Sequence, residues 1–318
     1  MDAYVLHLLN LLLPTMSIKV ASLTKIYDSQ RAVDNISFEL KKGEIVGFLG
    51  PNGAGKSTTM KIITSYLPAT SGTATVCGFD VQEKPMEVRK RVGYLPEANP
   101  LYTEMYVREY LEFSAGIHKL GKGSRQRIEE MISLTGLGKE AHKKISALSK
   151  GYKQRAGLAQ AMLHNPEVLI LDEPTSGLDP NQIIEIRDLI KNIGSEKTVL
   201  LSTHIMQEVQ AMCSRVIIIN NGKIVADDSI ERLQQANAKQ DVLIVVFEKE
   251  IDTELLKELN NLERYESTGS NKWKLVTQNP DVLRREVMQW ALQHDINISS
   301  LQAETESLED VFRALTKN

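Results

Sequence analysis

Cysteine is scarce in this chain of 318 residues. The sequence holds two cysteines, Cys77 and Cys213, and neither belongs to a CxxC pair or to a cysteine–histidine spacing typical of zinc sites. A disulfide-stabilised secreted scaffold and a structural zinc module are therefore excluded. We expect both thiols to be inert and the chain to fold in a reducing compartment.

A long hydrophobic run and an excess of positive charge are also lacking. The strongly apolar residues 3–13 include His7 and Asn10, and they make about half of the ~20 residues that span a bilayer. Lysine and arginine number 38 against 41 acidic residues, so the net charge of −3 offers no basic excess for a nucleic-acid backbone. We therefore expect no membrane span and no nucleic-acid partner. Because strand-like alternation begins only at Ser17, we expect residues 1–15 to be a disordered or mis-started extension.

Apolar periodicity indicates the architecture of the first domain. Short apolar runs alternate with helical stretches, which is typical of a parallel sheet with crossover helices. Continuous apolar runs at Ile45–Leu49 and 168–171 predict strands that are covered on both faces. Residues 105–142 read as mainly helical. We therefore predict an α/β domain with a mixed sheet over residues 16–230, interrupted by a helical subdomain at about 97–150.

A second, smaller domain is predicted after the turn pair Asn221-Gly222. The polar residues 231–240 read as a linker. Residues 241–318 then follow the order βαββαβ, so we predict a small α+β ferredoxin-like domain. Its strands are predicted at 242–247, 264–267, 272–277 and 297–302, and its helices at 253–260 and 280–294. A closing helix follows, with Ser307 and Asp310 in the spacing of a capping box.

The strongest motif is a glycine-rich loop between an apolar strand and a predicted helix. It reads Gly50-Pro51-Asn52-Gly53-Ala54-Gly55-Lys56-Ser57 and continues with Thr58. The glycines let backbone N–H groups surround phosphates, Lys56 reaches the terminal phosphates, and the Ser57 hydroxyl ligates Mg²⁺. Chance produces this pattern about once in a hundred chains of this size. An ordinary glycine turn with a surface lysine is therefore an alternative only if no other motif accompanies the loop.

A second motif places paired carboxylates at the end of a buried strand. Asp172 and Glu173 follow the apolar run at 168–171, at the edge where open α/β sheets bind ligands. We expect Asp172 to hold Mg²⁺ through its water shell and Glu173 to orient or deprotonate an attacking water. Alone, such a pair is about twice as often a cap or a solvated strand end. After a phosphate loop those odds reverse.

The segment between these motifs resembles a family signature. Residues 148–155 read Leu-Ser-Lys-Gly-Tyr-Lys-Gln-Arg and resemble the Leu-Ser-Gly-Gly-Gln signature of ATP-binding-cassette (ABC) ATPases. The resemblance covers roughly residues 17–225, with the phosphate loop, signature and carboxylate strand in the family's order. It implies that Ser149 and Gly151 meet the γ-phosphate of an ATP held by a second copy. Ser149 also suits the N-cap of a helix.

Other elements of the family also have counterparts. Tyr27 resembles the aromatic residue that stacks on adenine, and His204 resembles the switch histidine that contacts the terminal phosphate. The loop Ser176-Gly177-Leu178-Asp179 resembles the loop that crosses the dimer interface, which assigns Asp179 to nucleotide binding. By residue type alone, Tyr27 is more commonly a core or strand-end aromatic, and His204 a structural or solvated histidine.

Two departures from the family pattern stand out. Lys150 and Tyr152 occupy the signature where the family has Gly and Gln. Glu97 occupies the position of the glutamine that links Mg²⁺ to the membrane subunit. From this resemblance we expect Glu97 to contact the nucleotide and Mg²⁺. Its carboxylate adds a negative charge that we expect to alter catalysis or coupling.

The resemblance implies a P-loop ABC ATPase cassette that uses ATP and Mg²⁺. Two cassettes sandwich ATP, so we expect a homodimer that closes on ATP and reopens after hydrolysis by Glu173, His204 and Lys56. Separate integral membrane permease subunits would dock near Glu97 and residues 102–120. These subunits would carry the cargo, and we expect no direct contact between the cargo and this chain. This predicts a cytoplasmic protein, peripheral on the inner face of the cell membrane. The C-terminal ending resembles drug, antibiotic and gliding-motility exporters.

Other classes of activity are the alternatives. One is a soluble ABC-type ATPase that acts on ribosomes, DNA or protein complexes. Translation-factor members of the family usually carry two cassettes and a basic linker. Repair or chromosome members carry zinc modules or long coiled coils. This sequence has none of these features. Another is a noncatalytic ATP sensor, against which Glu173 and His204 argue.

Overall fold

The computed structural model describes residues 16–237, 241–304 and 308–316. The chain divides into two compact units, the first ending at Asp228 and the second beginning at Ser229. The expected extension at residues 1–15 lies outside the described residues. None of the helices described combines the length and apolar character needed to cross a bilayer.

The first unit is built from two sheets and the helices that connect their strands. Its strands are β1 (Met16–Tyr27), β2 (Gln30–Lys41), β3 (Ile45–Leu49), β4 (Ser71–Val76), β5 (Phe79–Asp80), β6 (Val92–Leu95), β7 (Val168–Asp172), β8 (Thr198–Thr203), β9 (Arg215–Asn220) and β10 (Lys223–Ser229). Its helices are α1 (Lys56–Ile63), α2 (Pro85–Arg91), α3 (Val107–Ile117), α4 (Ser124–Leu134), α5 (Lys150–Met162), α6 (Pro180–Gly194) and α7 (Met206–Met212).

A six-stranded sheet of order β10-β9-β3-β8-β7-β6 carries the functional loops. Strand β3 pairs in parallel with β8 and β9, and β7 pairs in parallel with β6 and β8. The strands that the sequence predicts as buried on both faces are almost fully so, as expected from their unbroken apolar runs. Because Leu49 lies beside Thr203, and Asp172 beside Ser202, the loops after β3, β7 and β8 leave the same edge.

A four-stranded antiparallel sheet of order β2-β1-β4-β5 completes the core of this unit. Its inward residues, including Ile18, Val20 and Phe38, join Phe48 of the six-stranded sheet in one hydrophobic cluster. Helices α3, α4 and α5 pack together between β6 and β7 in sequence, where the helical subdomain is predicted. The mixed α/β architecture is confirmed.

The second unit forms an antiparallel sheet of order β12-β13-β11-β14. Its elements are α8 (Ile230–Asn237), β11 (Asp241–Phe247), a 3₁₀ helix (Thr253–Glu258), β12 (Arg264–Gly269), β13 (Lys272–Thr277), α9 (Pro280–Gln293), β14 (Ile298–Glu304) and α10 (Leu308–Thr316). This order is the split βαββαβ arrangement. Trp273 and Trp290 lie in its core.

Two local expectations need correction. Residues 231–237 belong to helix α8 rather than to a linker, while 238–240 lie outside the described residues. Leu233 of this polar run is buried, and polar composition alone does not separate a largely exposed helix from a linker. The helix predicted at 253–260 is a shorter 3₁₀ helix. Helix α10 packs on α8 through a face that buries Leu308 and Val311, and the predicted cap Ser307 is not among the described residues.

Candidate functional site: a phosphate loop beside two carboxylates

The glycine-rich loop joins β3 to α1, and its first and last glycines, Gly50 and Gly55, have no room for a side chain. Gly55 caps α1 with a φ of +108°, and a Cβ there would lie 2.5 Å from the carbonyl oxygen of Ala32. A Cβ on Gly50 would lie 2.4 Å from the carbonyl oxygen of Ile219. Gly222, in the predicted hairpin turn, donates its N–H to the Ala54 carbonyl at 3.0 Å. The loop is therefore clamped between neighbouring strands, and no side chain caps α1 at Gly55.

Lys56 is folded back into this loop. Its side chain is 6% exposed, and Nζ donates to the carbonyl oxygens of Gly50 at 2.7 Å and Pro51 at 3.3 Å. The same Nζ lies 3.6 Å from Oε1 of Glu173. A compact ammonium group with three donors is thus fixed where the loop meets the carboxylate.

Ser202 hydrogen-bonds both acidic residues at the end of β7, Asp172 through its carboxylate and Glu173 through its backbone. Its hydroxyl donates to Oδ1 of Asp172 at 2.6 Å, and the backbone N–H of Glu173 donates to that hydroxyl at 3.0 Å. Glu173 has a φ of +51°, a left-handed conformation that costs energy outside glycine. Sequence reasoning missed Ser202, although a polar residue in the apolar strand β8 was a usable signal.

His204 reaches the same carboxylate from the next loop. Its Nδ1 lies 2.9 Å from Oε2 of Glu173, while its side chain remains 50% exposed. With Nδ1 engaged by Glu173, Nε2 is the ring nitrogen left for a ligand. Glu173 is therefore held between the cation of Lys56 and the ring of His204.

A cavity of about 520 Å³ lies over this arrangement. The predicted site residues that line it are Tyr27, Asn52, Gly53, Gly55, Lys56, Ser57, Thr58, Glu97, Glu173 and His204. Three residues that sequence analysis did not assign to nucleotide binding also line it, namely Gln30, Ala32 and Ser176. Tyr27 is 40% exposed, and Lys25 Nζ lies 5.1 Å from its ring centroid. Asp172 is buried behind the lining, beside Glu173.

The signature residues lie outside this cavity. Ser149 caps α5 and accepts a hydrogen bond from the Tyr152 N–H at 3.4 Å, as predicted for an N-cap. Asp179 caps α6 and accepts from the Gln182 N–H at 3.0 Å.

These two helix starts adjoin each other. A Cβ on Gly151 would lie 2.6 Å from the side chain of Gln182, and a Cβ on Gly177 would lie 2.0 Å from Lys150 Nζ. Ser149 and Asp179 are exposed and Gly151 is buried beside Gln182, so the three lie in one region that is separate from the cavity over the chain's own phosphate loop.

Comparisons with known proteins agree with this geometry. The family model described as ABC transporter matches residues 33–176. The uncharacterised ABC transporter ATP-binding protein YxlF of Bacillus subtilis is 36% identical over 93% of this chain and 98% of its own length. The bacitracin transport ATP-binding protein BcrA of Bacillus licheniformis is 38% identical over 74% of this chain and 79% of its own length.

A solved structure is similar as well. The cassette MJ0796, in a dimeric post-hydrolysis state bound to ADP and Pi, matches with a TM-score of 0.62 and 26% identity. The match covers 67% of this chain and 98% of that one. Relatives that are transporter ATP-binding proteins do not favour the alternative of an ABC-type ATPase without a membrane partner. The chain belongs to the ABC transporter family as an ATP-binding subunit, an ATPase coupled to transport.

Proposed function

We propose that Glu173 activates the water that attacks the γ-phosphate of ATP, and that the resulting cycle drives export through separate membrane subunits. The observation that carries this proposal is the placement of Glu173 between Lys56 and His204. Its two carboxylate oxygens lie 3.6 Å from Lys56 Nζ and 2.9 Å from His204 Nδ1. Both contacts support a fixed orientation for the carboxylate.

The chemistry follows from these three side chains. Glu173 accepts the proton of the attacking water, which raises the nucleophilicity of its oxygen. Lys56 stabilises the charge on the terminal phosphates, since phosphoryl transfer depends mainly on positioning and electrostatics. His204 holds the Glu173 carboxylate through Nδ1 and presents Nε2 to the γ-phosphate.

Magnesium suits the oxygen groups present. Ser57 and Glu97 line the cavity, and Asp172 lies buried beside it with one oxygen occupied by Ser202. Mg²⁺ in nucleotide sites is typically bound through one or two carboxylates together with substrate phosphates and waters. We assign Mg²⁺ to Ser57, Asp172 and Glu97, where it would neutralise charge on the phosphates.

The nucleotide follows the lining of the cavity. Tyr27 stacks on adenine with its exposed ring. The phosphates lie along the loop formed by Gly50, Pro51, Asn52, Gly53, Ala54, Gly55, Lys56, Ser57 and Thr58. The buried side chain of Ala54 and the tight packing at Gly50 keep the loop's backbone in place around them.

A second copy of the chain completes the site. Ser149 and Asp179 are exposed outside the chain's own cavity, with Gly151 next to them, so in a homodimer this region meets the ATP of the partner. The exposed hydroxyl and the N-terminus of α5 at Ser149 favour an anion there. ATP then closes the dimer, and loss of the γ-phosphate reopens it.

The membrane partner docks on the helical subdomain. Tyr102 and Phe113 are 55% and 41% exposed, and their rings meet edge to face with centroids 5.5 Å apart. Ile117, on the same helix as Phe113, is 62% exposed. An apolar surface of this kind, near the loop of Glu97, suits a helix of a permease subunit. In this proposal the chain lies on the cytoplasmic face of the membrane, and the cargo passes through the permease.

Co-purification from gently solubilised native membranes tests this function. The tagged chain and its Glu173→Gln variant are compared, with Glu196→Gln as a control on the exposed surface. Recovery of a polytopic membrane protein in near-equal amount supports the proposal. Recovery of ribosomes or nucleic-acid complexes instead would contradict it.

A further inference from the structure

Glu208 is a fully buried carboxylate outside the nucleotide cavity. It lies on α7 and is 0% exposed. Its Oε2 accepts a hydrogen bond from Thr203 Oγ1 at 2.8 Å, and its Oε1 accepts one from Thr175 Oγ1 at 2.5 Å. No ion pair of Glu208 occurs within the described part of the chain. A carboxylate so deeply buried without a cation depends on both hydroxyl donors.

The two threonines belong to the two catalytic loops. Thr175 lies two positions after Glu173 and begins the turn closed by the Leu178 N–H, which donates to the Thr175 carbonyl at 3.2 Å. Thr203 ends β8 immediately before His204, and its hydroxyl also accepts from the Ile205 N–H at 3.0 Å. Each oxygen of Glu208 is therefore bonded to one of the loops that meet at the Glu173–His204 contact.

We propose that Glu208 is a positioning residue that holds these two loops in register for ATP hydrolysis. This inference rests on the proposed function, because it acts through Glu173 and His204. Glu208 itself touches no residue of the reaction through its carboxylate and does not line the cavity. A displacement of about 1 Å between reacting groups costs on the order of 10²-fold in rate, so a shared anchor governs kcat.

The near-isosteric variant Glu208→Gln tests this role. Its amide nitrogen donates instead of accepting, so one of the two threonine hydroxyls loses the charged acceptor to which it donates. We expect kcat to fall about tenfold or more while the Kd for ATP stays within about twofold. Thr175→Val removes the hydroxyl that donates to Oε1 of Glu208. It is the second variant, to be used if Glu208→Gln does not fold, and we expect the same fall in kcat.

Two neighbours on the same helix serve as controls. Gln207 is exposed, so Gln207→Ala should retain the parent kcat. Val209 is buried against Gly47 of β3, so Val209→Ala reports the effect of a destabilised helix with both threonine contacts present. If Val209→Ala lowers kcat as much as Glu208→Gln at the same loss of Tm, the positioning role is overturned.

A double-mutant cycle with His204→Ala separates positioning from general stability. If Glu208 acts through the Glu173–His204 contact, adding Glu208→Gln to His204→Ala should lower kcat by no more than about twofold further. If the fold-losses in kcat of the two single variants multiply in the double variant, the inference is overturned. Failure of the proposed function is a distinct result, since it requires the Glu173→Gln variant to hydrolyse ATP at the parent rate.

Discussion

His204 Nδ1 lies 2.9 Å from Oε2 of Glu173, although the two residues follow different strands and are 31 positions apart. The parallel pairing of β7 with β8 produces this contact, because it sets Asp172 beside Ser202. The loops that follow these strands then begin side by side. The contact between Glu173 and His204, which we propose as catalytic residues, is thus a consequence of strand register.

Replacing His204 tests the importance of this contact. In His204→Ala the carboxylate of Glu173 loses its hydrogen bond, so we expect kcat for ATP to fall about 10²-fold. The Kd for ATP should change little, because Lys56 and the loop glycines remain. Steady-state ATPase and equilibrium nucleotide binding measure the two quantities. His142→Ala, at an exposed histidine of the helical subdomain, is the control. A kcat near the parent value in His204→Ala would show that the histidine is dispensable.

Mixing two inactive variants tests whether a second copy completes the site. Ser149→Arg blocks the signature surface, and Lys56→Ala removes the phosphate-binding cation. Each should be inactive alone. A mixed dimer places both defects in one composite site and leaves the other intact, so the mixture should regain hydrolysis. Activity of the mixture that stays at the sum of the separate variants would contradict the shared site.

Sequence motifs predicted the parts of the site that lie on one continuous segment. The loop from Gly50 to Ser57 lies between a strand and a helix, and the pair Asp172-Glu173 lies at the end of a strand. The spacing of these residues in the sequence was therefore enough to predict their positions at the edge of the sheet. Ser202 and Glu208 were not predicted, because their roles depend on hydroxyl contacts between segments that are remote in sequence.

The fold shows the same limit at a larger scale. Apolar runs predicted β3 and β7 closely, since strands covered on both faces have an unbroken apolar pattern. Helix α8 was read as a linker because its stability comes from contacts such as its packing on α10, which a polar sequence does not reveal.

The two thiols are expected to be unreactive in the folded chain. Burial raises the pKa of Cys77 to about 11 and that of Cys213 to about 12. At pH 8 the reactive thiolate is therefore at most about one part in a thousand. An aromatic disulfide reagent should label neither residue before unfolding and both after it. Cys77→Ser should halve the signal of the unfolded chain. Rapid labelling of one thiol in the folded protein would contradict this prediction.

His164 is expected to make stability depend on pH. Burial, followed by the charge of His118 stacked on it at a centroid distance of 4.0 Å, lowers its pKa from 6.5 to about 4. Its Nε2 lies 3.1 Å from the Val92 carbonyl, while its buried Nδ1 has no hydrogen-bond partner within the described segments. Arg127 and Lys197 also disfavour its protonation.

The sign follows from the proton balance. Between pH 6.5 and about 4 the unfolded chain binds a proton at this ring that the folded chain does not, so the free energy of unfolding falls as the pH falls. Because the side chain is only partly buried and solvent screens its charge, the loss is on the order of 1 kcal/mol. Denaturant titrations give the free energy of unfolding at pH 7 and at pH 5. The difference between these two values should be smaller for His164→Asn than for the parent or for His142→Gln. Equal pH dependence in all three would contradict the assignment.

Hydrolysis by Glu173→Gln is the most direct test of the account. The substitution keeps the shape of the side chain but removes the carboxylate that lies between Lys56 and His204. A single-turnover assay with radiolabelled ATP, paired with nucleotide binding and the oligomeric state, measures the outcome. We expect a rate at least about 10²-fold below the parent, an unchanged Kd for ATP and accumulation of an ATP-bound dimer. Hydrolysis at the parent rate would contradict the assignment of Glu173 as the base.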